Sequence, residues 1–285
     1  MVIGAEMGEH ARMSNPLLEL REVAGSPAGF VAAAGEVFAR FGAQTQDSGN
    51  VSYGVRVARE RFFVKTTDPD ASVYLPHADR VVLLRNAVAL NTGFTHPLMP
   101  RLLNVIESEA GPMLVYQWVD GELLRAVPGD SDSAHERFRR LPVREIKSAL
   151  DGLLGLHRLL ADEGYVAVDF YDGCLLYDFA EHALHVVDLD HYHHGPFTNE
   201  MGRMFGSSRF MAPEEFELGA QIDERTTVFN LGRAVAIFLG DGSLDAGAFR
   251  GSPAQFEFVL QACQPDPAAR HQSLSAAVEA WLSTR

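Results

Sequence analysis

Residues 206–216 read GSSRFMAPEEF, and the chain changes character on the two sides of this stretch. The glycine and serines at its start are typical of an exposed loop. Short strand-like runs precede it, at 174–179 and 184–190. Segments with the apolar spacing of helices follow it, at 227–240, 255–263 and 274–282. The stretch is therefore predicted to join short strands to a helical region.

The first 120 residues are predicted to form mainly strands. VSYGVRVA (51–58) and RFFVKTT (61–67) flank the polar pair Arg59-Glu60, a pattern typical of a hairpin. Two more strand-like runs lie at 102–108 and 112–119, and residues 77–92 have helical spacing. A small β-rich half followed by a larger helical half indicates an α+β protein with two lobes and a cleft between them.

Two further helices are predicted outside these strands. Residues 28–42 place apolar side chains at helical spacing, and Gly42 is a plausible end for that helix. REIKSALDGLLGLHRLLADEG (144–164) carries a leucine-rich stripe.

Composition narrows the class of protein. The formal net charge of −14 argues against non-specific binding to nucleic acid or to a membrane surface, which requires a basic face. No apolar run approaches the roughly 18 residues of a membrane span, and the acidic N-terminus does not resemble a signal peptide. Two cysteines, Cys174 and Cys263, cannot form a disulfide framework. A cytoplasmic location is expected.

Taken together, the motifs resemble the protein-kinase superfamily over roughly residues 45–282. The likeness is to bacterial Ser/Thr protein kinases, with some features of aminoglycoside phosphotransferases. It rests on the order of six landmarks: a strand–glycine–lysine unit (49–65), LVYQWVDG (114–121), His157 to Cys174, VVDLD (186–190), GSSRFMAPEEF (206–216) and PDPAARHQSLSAAVEAWL (265–282). The resemblance implies a bilobal kinase-like fold, with an N-terminal segment containing a helix (1–44), a nucleotide-binding N-lobe (45–119) and a catalytic C-lobe (120–285).

The first landmark concerns phosphate binding. Gly49 and Gly54 bracket four residues, and Lys65 follows in the apolar strand FFVK. Glycines let backbone N–H groups approach phosphates, and a lysine neutralises phosphate charge. By itself the pattern also fits a plain hairpin with a snorkelling lysine.

The second landmark resembles the linker between kinase lobes. The resemblance implies that backbone groups near Trp118 and Val119 bind the adenine edge and that Tyr116 lines the pocket. The alternative is an ordinary strand that ends at a glycine turn.

The third and fourth landmarks carry the catalytic and metal residues. The resemblance places Asp169 as the catalytic aspartate, which orients a substrate hydroxyl and accepts its proton. It places Asp188 as the main Mg²⁺ ligand, because Mg²⁺ prefers oxygen ligands. Asp172, Asp190 and Cys174 are the candidates for a further ligand.

The last two landmarks imply a structural pair. In the family an arginine at the position of Arg270 pairs with the glutamate at Glu214, and this pair anchors the substrate-binding segment. A carboxylate–guanidinium pair of this kind can be bidentate and partly buried.

Several family positions hold unusual residues. Ala87 stands where a helix glutamate normally pairs with the strand lysine, and Ala167-Val168 replace the His-Arg before Asp169. Cys174 replaces an asparagine, Asp190 a glycine and Thr227 an aspartate. The cluster HYHH (191–194) is interpreted as solvent-facing or locally hydrogen-bonded rather than metal-binding. Thr198, Ser207 and Ser208 are interpreted as unmodified loop hydroxyls, because no arginine precedes Asp169 to receive a phosphate.

These features predict an ATP-dependent, Mg²⁺-requiring phosphotransferase acting on a Ser or Thr hydroxyl of a protein. One alternative is a kinase for a small hydroxylated metabolite or antibiotic, favoured by the short glycine loop and by Ala87. The other is a pseudokinase that binds a nucleotide or a partner without catalysis.

Overall fold

A computed structural model of the chain describes residues 14–42, 49–71 and 73–284. These residues form a mixed α+β structure with eight α-helices and a small antiparallel sheet. They divide into two compact units: the first extends to Leu84 and includes Arg101–Trp118, and the second contains Arg85–Pro100 and everything from Val119 onward. The mixed α+β class expected from the sequence is confirmed.

The first unit is built on a five-stranded antiparallel sheet in the order β1-β2-β3-β5-β4. Its strands are β1 (Glu36–Phe41), β2 (Asn50–Val57), β3 (Glu60–Thr67), β4 (Leu102–Ser108) and β5 (Gly111–Gln117). The predicted hairpin is confirmed as β2–β3. Alternate residues of the strands, such as Val55, Val64 and Met113, form the core of this unit.

The helix predicted at 28–42 is wrong in its second half. Helix α2 (Pro27–Ala34) is capped by the Ser26 hydroxyl and stops before Gly35. There a Cβ would lie 2.4 Å from the carbonyl oxygen of Arg56. Residues 36–41 instead pair with β2, because cross-strand hydrogen bonds outweigh the helical spacing of a few apolar residues. The proposed boundary at 44/45 and the first 13 residues lie outside the described residues.

The polypeptide before α2 covers one edge of the sheet. Helix α1 (Pro16–Glu19) buries Leu17, and the Asn104 side chain of β4 donates to the carbonyl oxygens of Leu17 (2.9 Å) and Leu20 (2.7 Å). The Glu107 backbone, also in β4, exchanges hydrogen bonds with Arg21 O (2.8 Å) and Val23 N (2.9 Å). The outer edge of β4 is therefore paired along part of its length.

The second unit is mainly helical. Its helices are α4 (Ala134–Arg139), α5 (Val143–Asp162), α6 (Glu224–Leu239), α7 (Pro253–Ala262), α8 (Leu274–Leu282) and the C-terminal part of α3 (His77–Gly93). Helix α6 is apolar and buried on nearly every face, as expected of a central helix. The helices predicted around 77–92, 144–164, 227–240, 255–263 and 274–282 are confirmed within a few residues.

Short strands in the second unit hold the loops between these helices. Three of them, β6 (Glu122–Leu123), β8 (Leu175–Asp178) and β9 (Ala183–Val186), form one small sheet. The others form two pairs: β7 (Tyr165–Val166) with β10 (His193–His194), and β11 (Phe197–Thr198) with β12 (Gln221–Ile222). In the described part of the chain, no helix has both the length and the apolar character to cross a membrane.

Candidate functional site

Two aspartates of the second unit have a backbone conformation that is uncommon for side-chain-bearing residues. Asp169 follows β7 with a φ of 59°, and Asp188 follows β9 with a φ of 62°. Aspartate tolerates this left-handed region better than most residues, yet such conformations concentrate at functional sites. These are the two residues that the sequence proposes for hydroxyl orientation and metal binding.

The loop that carries Asp169 is fixed by its neighbours. The Cys174 thiol, at the end of a single 3₁₀ turn (Asp172–Cys174), donates to the Asp169 carbonyl oxygen at 3.3 Å. On the other side, Ala167 N donates to the Thr227 hydroxyl of α6 at 3.0 Å. Thr227 therefore anchors the loop to α6.

Asp169 and Asp188 both lie near the phenol of Tyr171. Burial raises the pKa of Tyr171, and the charges of Cys174, Asp169 and Asp188 raise it further. His191 stands on another side of Asp169, with its Nε2 3.8 Å from Asp169 Oδ2. The loops after β7 and β9 thus bring two carboxylates, a phenol and an imidazole into one region.

The backbone after Asp188 is held from helix α3. The Asn86 amide donates to the carbonyl oxygens of Asp190 and Tyr192, both at 2.6 Å. The Tyr192 hydroxyl meets His157 Nε2 at 2.7 Å, and His157 Nδ1 lies 2.9 Å from Leu153 O.

These contacts define the protonation of His157. Burial lowers its pKa to about 4, so the ring is neutral at pH 7. Nδ1 then donates to Leu153 O, and Nε2 accepts from Tyr192. The segment from Asp188 to Tyr192 is consequently tied to both α3 and α5.

The structure brings Glu214 and Arg270 together. Arg270 Nη1 donates to Glu214 Oε1 at 2.6 Å and Nη2 donates to Oε2 at 2.8 Å, which is a bidentate pair. The side chains are 0% and 7% exposed. Residues 206–216 therefore end in a buried ion pair with the polypeptide before α8.

The neighbouring carboxyl, Glu215, is also buried. Its Oε2 accepts from Ala212 N at 2.6 Å and from the Asn230 amide of α6 at 2.8 Å. Burial raises the pKa of Glu215 to about 7, even though these two hydrogen bonds act to lower it. The turn at Ala212-Pro213-Glu214 thus depends on a carboxyl that titrates near neutral pH.

Asp172 is engaged in contacts within the second unit. Its Oδ2 accepts from Arg209 Nη1 at 2.6 Å and from Ala126 N at 3.3 Å, and His135 Nδ1 lies 3.3 Å away. Burial alone would raise the pKa of Asp172, but the hydrogen bonds from His135 and Arg209 hold it below its usual range. This oxygen is occupied by cationic and N–H donors rather than open to a metal ion.

In the first unit, the proposed nucleotide-binding roles of Gly49 and Gly54 stay predictions. Residues 50–57 are extended and pair with β3 residue by residue, so Gly54 lies inside β2. A Cβ at Gly54 would lie 2.7 Å from Phe38 and 2.9 Å from Trp118, so the glycine makes room for aromatic rings. Residues 43–48, between β1 and β2, lie outside the described residues.

The remaining nucleotide candidates stay predictions. Lys65 lies in β3, opposite Ser52 on one side and Leu114 on the other, and it is buried. Tyr116 lies in β5, and the Trp118 ring packs edge-on against Phe38 with centroids 4.8 Å apart. Val119 belongs to the second unit.

The donor set can be tested against Mg²⁺. Across residues 14–42, 49–71 and 73–284, no three His, Cys, Asp or Glu side chains are grouped so that they could hold a metal ion. Mg²⁺ usually keeps several waters and uses one or two carboxylates together with substrate phosphates. The exposed Asp188 fits that mode, whereas the Cys174 thiol, bonded to Asp169 O, does not.

The roles of Asn86, His135 and Arg209 were missed by sequence reasoning. Asn86 is adjacent to Ala87, which is buried and 1% exposed where the family has a glutamate. Nothing in the local sequence distinguishes these residues from solvent-exposed polar side chains, because their partners lie up to about a hundred residues away.

Comparison with known proteins adds no family assignment. A scan against protein-family models found no match, and a search of curated proteins found no matching relative.

Proposed function

We propose that the chain is an ATP-dependent phosphotransferase with a bilobal, protein-kinase-like fold that transfers the γ-phosphate to a hydroxyl group. The observation that carries the proposal is the pairing of Asp169 and Asp188. Both have left-handed backbones, lie at the ends of short strands and act on the same Tyr171 phenol. Two carboxylates with these positions are what phosphoryl transfer needs from this part of the chain.

Each candidate has a defined role in the reaction. Asp169 orients the acceptor hydroxyl and takes its proton as the oxygen bonds to the γ-phosphorus and ADP leaves with the electron pair of the broken P–O bond. Lys65 supplies positive charge to the phosphates, and Asp188 would hold Mg²⁺. When bound, Mg²⁺ neutralises charge on the phosphate oxygens.

A protein acceptor is favoured over a small one by the end of the 188–214 segment. The buried Glu214–Arg270 pair and the Glu215–Asn230 hydrogen bond hold this segment on the helical core. A firmly attached surface segment beside Asp169 suits an extended polypeptide. Acceptance of only small hydroxylated compounds would show that this inference is wrong.

One observation favours a second candidate, a nucleotide-binding module without transfer activity. The position of the missing glutamate is filled by Ala87, which packs in the interior. The helix position where the resemblance implies a lysine-orienting carboxylate therefore offers no ionisable group.

The test compares Asp169→Asn with the exposed control Asp162→Asn. We expect Asp169→Asn to lower transfer from labelled ATP by roughly 10²–10⁴-fold while Mg-ATP still raises the melting temperature. The control should transfer like the wild type.

Three outcomes discriminate among the candidates. Full activity in Asp169→Asn would remove the catalytic role from this residue. Binding of Mg-ATP without transfer to any protein or small acceptor would favour the second candidate, and absence of Mg-ATP binding would refute both.

A further inference from the structure

An ion pair joins the loop of Asp169 to the stretch 206–216. Asp172 is 2% exposed and lies three residues after Asp169, whereas Arg209 lies three residues before Ala212. Their 2.6 Å contact is the shortest of the contacts to Asp172 Oδ2, and the Ala126 and His135 donors complete its surroundings. A buried carboxylate with three donors has little freedom to move.

Arg209 is fixed in turn by the helical core. Its carbonyl oxygen accepts from Arg233 Nε of α6 at 2.8 Å, and its guanidinium lies 5.5 Å from the Phe210 ring centroid. Phe210 is fully buried. Arg209 therefore links helix α6 to the 3₁₀ turn that contains Asp172.

The same stretch passes close to the proposed catalytic carboxylate. Gly206 has a φ of 122°, and a Cβ built on it would lie 3.5 Å from Asp169 Oδ1. A shift of residues 206–209 would change the surroundings of that oxygen.

No arginine directly precedes Asp169 in the sequence. Ala167 and Val168 occupy those positions and are buried in apolar clusters. In this chain the acidic partner, Asp172, lies in the loop of Asp169, and the cationic partner, Arg209, lies in the stretch 206–216. Both are unmodified side chains. The contact therefore needs no added phosphate.

We propose that Asp172 and Arg209 are positioning residues, which hold the catalytic loop and residues 206–216 in their working arrangement without phosphorylation. This inference rests on the proposed function. It assigns Asp172 to the ion pair rather than to metal binding.

The test is a double-mutant cycle with Arg209→Gln, Asp172→Asn and the combined variant. Arg144→Gln is the matched control, since Arg144 is an exposed arginine of the same unit. Two readouts are needed: acceptor kinetics, and amide hydrogen exchange over residues 203–212. Melting temperatures of all variants check that they are folded.

We expect Arg209→Gln to lower kcat by roughly 10–100-fold with unchanged nucleotide affinity, because a displacement of about 1 Å can cost that much. Exchange at 203–212 should rise at least roughly tenfold, as local opening becomes easier. Arg209→Lys should recover part of the kcat and part of the protection from exchange. The double variant should lose no more kcat or protection than the more severe single variant. Wild-type protein shown by mass spectrometry to carry no phosphate should have full activity.

Unchanged exchange and unchanged kcat in Arg209→Gln would overturn the proposal, as would wild-type activity that requires phosphorylation of Thr198, Ser207 or Ser208. If the wild type has no transferase activity, the proposed function fails. The exchange and the coupling between the two variants then still decide whether the pair holds the segment.

Discussion

Replacing Arg270 by alanine should destabilise the second unit more than any single change at an exposed charge. Besides its two bonds to Glu214, the Arg270 guanidinium donates to the carbonyl oxygens of Gln264 (2.7 Å), Pro265 (2.9 Å) and Arg225 (3.0 Å). The substitution removes five hydrogen bonds and leaves the Glu214 carboxylate buried without its cation. Breaking a buried pair in this way costs roughly 3–5 kcal/mol.

The loss should be visible in thermal unfolding. At about 2–4 °C per kcal/mol for a unit of this size, the melting temperature should fall by roughly 6–20 °C. Differential scanning calorimetry on wild type, Arg270→Ala, Glu214→Ala and the double variant gives the coupling. Arg144→Ala, at an exposed site, should change the melting temperature little.

Two results are expected from these variants. The coupling between the Glu214 and Arg270 substitutions should be at least about 2 kcal/mol, since the residues share two short hydrogen bonds. Arg270→Lys should have a melting temperature between those of the wild type and Arg270→Ala, because lysine keeps the positive charge but cannot form the bidentate hydrogen bonds of the guanidinium group. Additive effects of the two alanine substitutions would refute the account, and so would a fully stable Arg270→Lys.

Three further outcomes are expected. Lys65→Met should weaken the melting-temperature shift produced by Mg-ATP. Unchanged nucleotide affinity in this variant would show that Lys65 does not bind the phosphates. Asp188→Ala should abolish metal-dependent nucleotide binding while Cys174→Ser retains it in a Mg²⁺ titration; an equal loss in both would make the thiol a ligand. Glu215→Gln should flatten the pH dependence of stability: burial raises the folded-state pKa from 4.5 to about 7, so wild-type stability falls as pH rises through that window, by up to about 3 kcal/mol. Urea unfolding at pH 5 and pH 8 measures the change in the free energy of unfolding between the two pH values. The same change in the wild type and in Glu215→Gln would contradict the prediction.

The elements of the chain were predictable where one periodicity dominates. Helix α5 has a strong apolar stripe, and the β2–β3 hairpin alternates around a short polar turn, so local sequence determines both. Residues 36–41 were mispredicted because their apolar side chains also fit helical spacing. Pairing with β2, which no local pattern reveals, decides their conformation.

The candidate site was predictable only in part. Asp169, Asp188 and the Glu214–Arg270 pair could be located from short motifs, since each occupies a motif position. The hydrogen bonds from the Asn86 amide to the carbonyl oxygens of Asp190 and Tyr192 could not be predicted. An asparagine in a helix gives no sign that it reaches two carbonyl groups more than a hundred residues away. The packing of Phe38 and Trp118 against Gly54 could not be predicted either, because a glycine that admits phosphates and one that admits aromatic rings look the same in a sequence.

The pairing of residues 15–23 with β4 has a consequence for self-association through the sheet of the first unit. An unpaired edge strand invites another copy of the chain to add to the sheet. The Asn104 side-chain N–H groups, which donate to the carbonyl oxygens of Leu17 and Leu20, would also lose these acceptors if that peptide detached, and the Asn104 oxygen would lose its donor Arg21. Residues 15–23 therefore protect the edge strand β4 from pairing with another copy of the chain. A protein trimmed to begin at β1 would have an unpaired β4 edge. Its tendency to self-associate would then come from the loss of residues 15–23 rather than from a defect in the sheet.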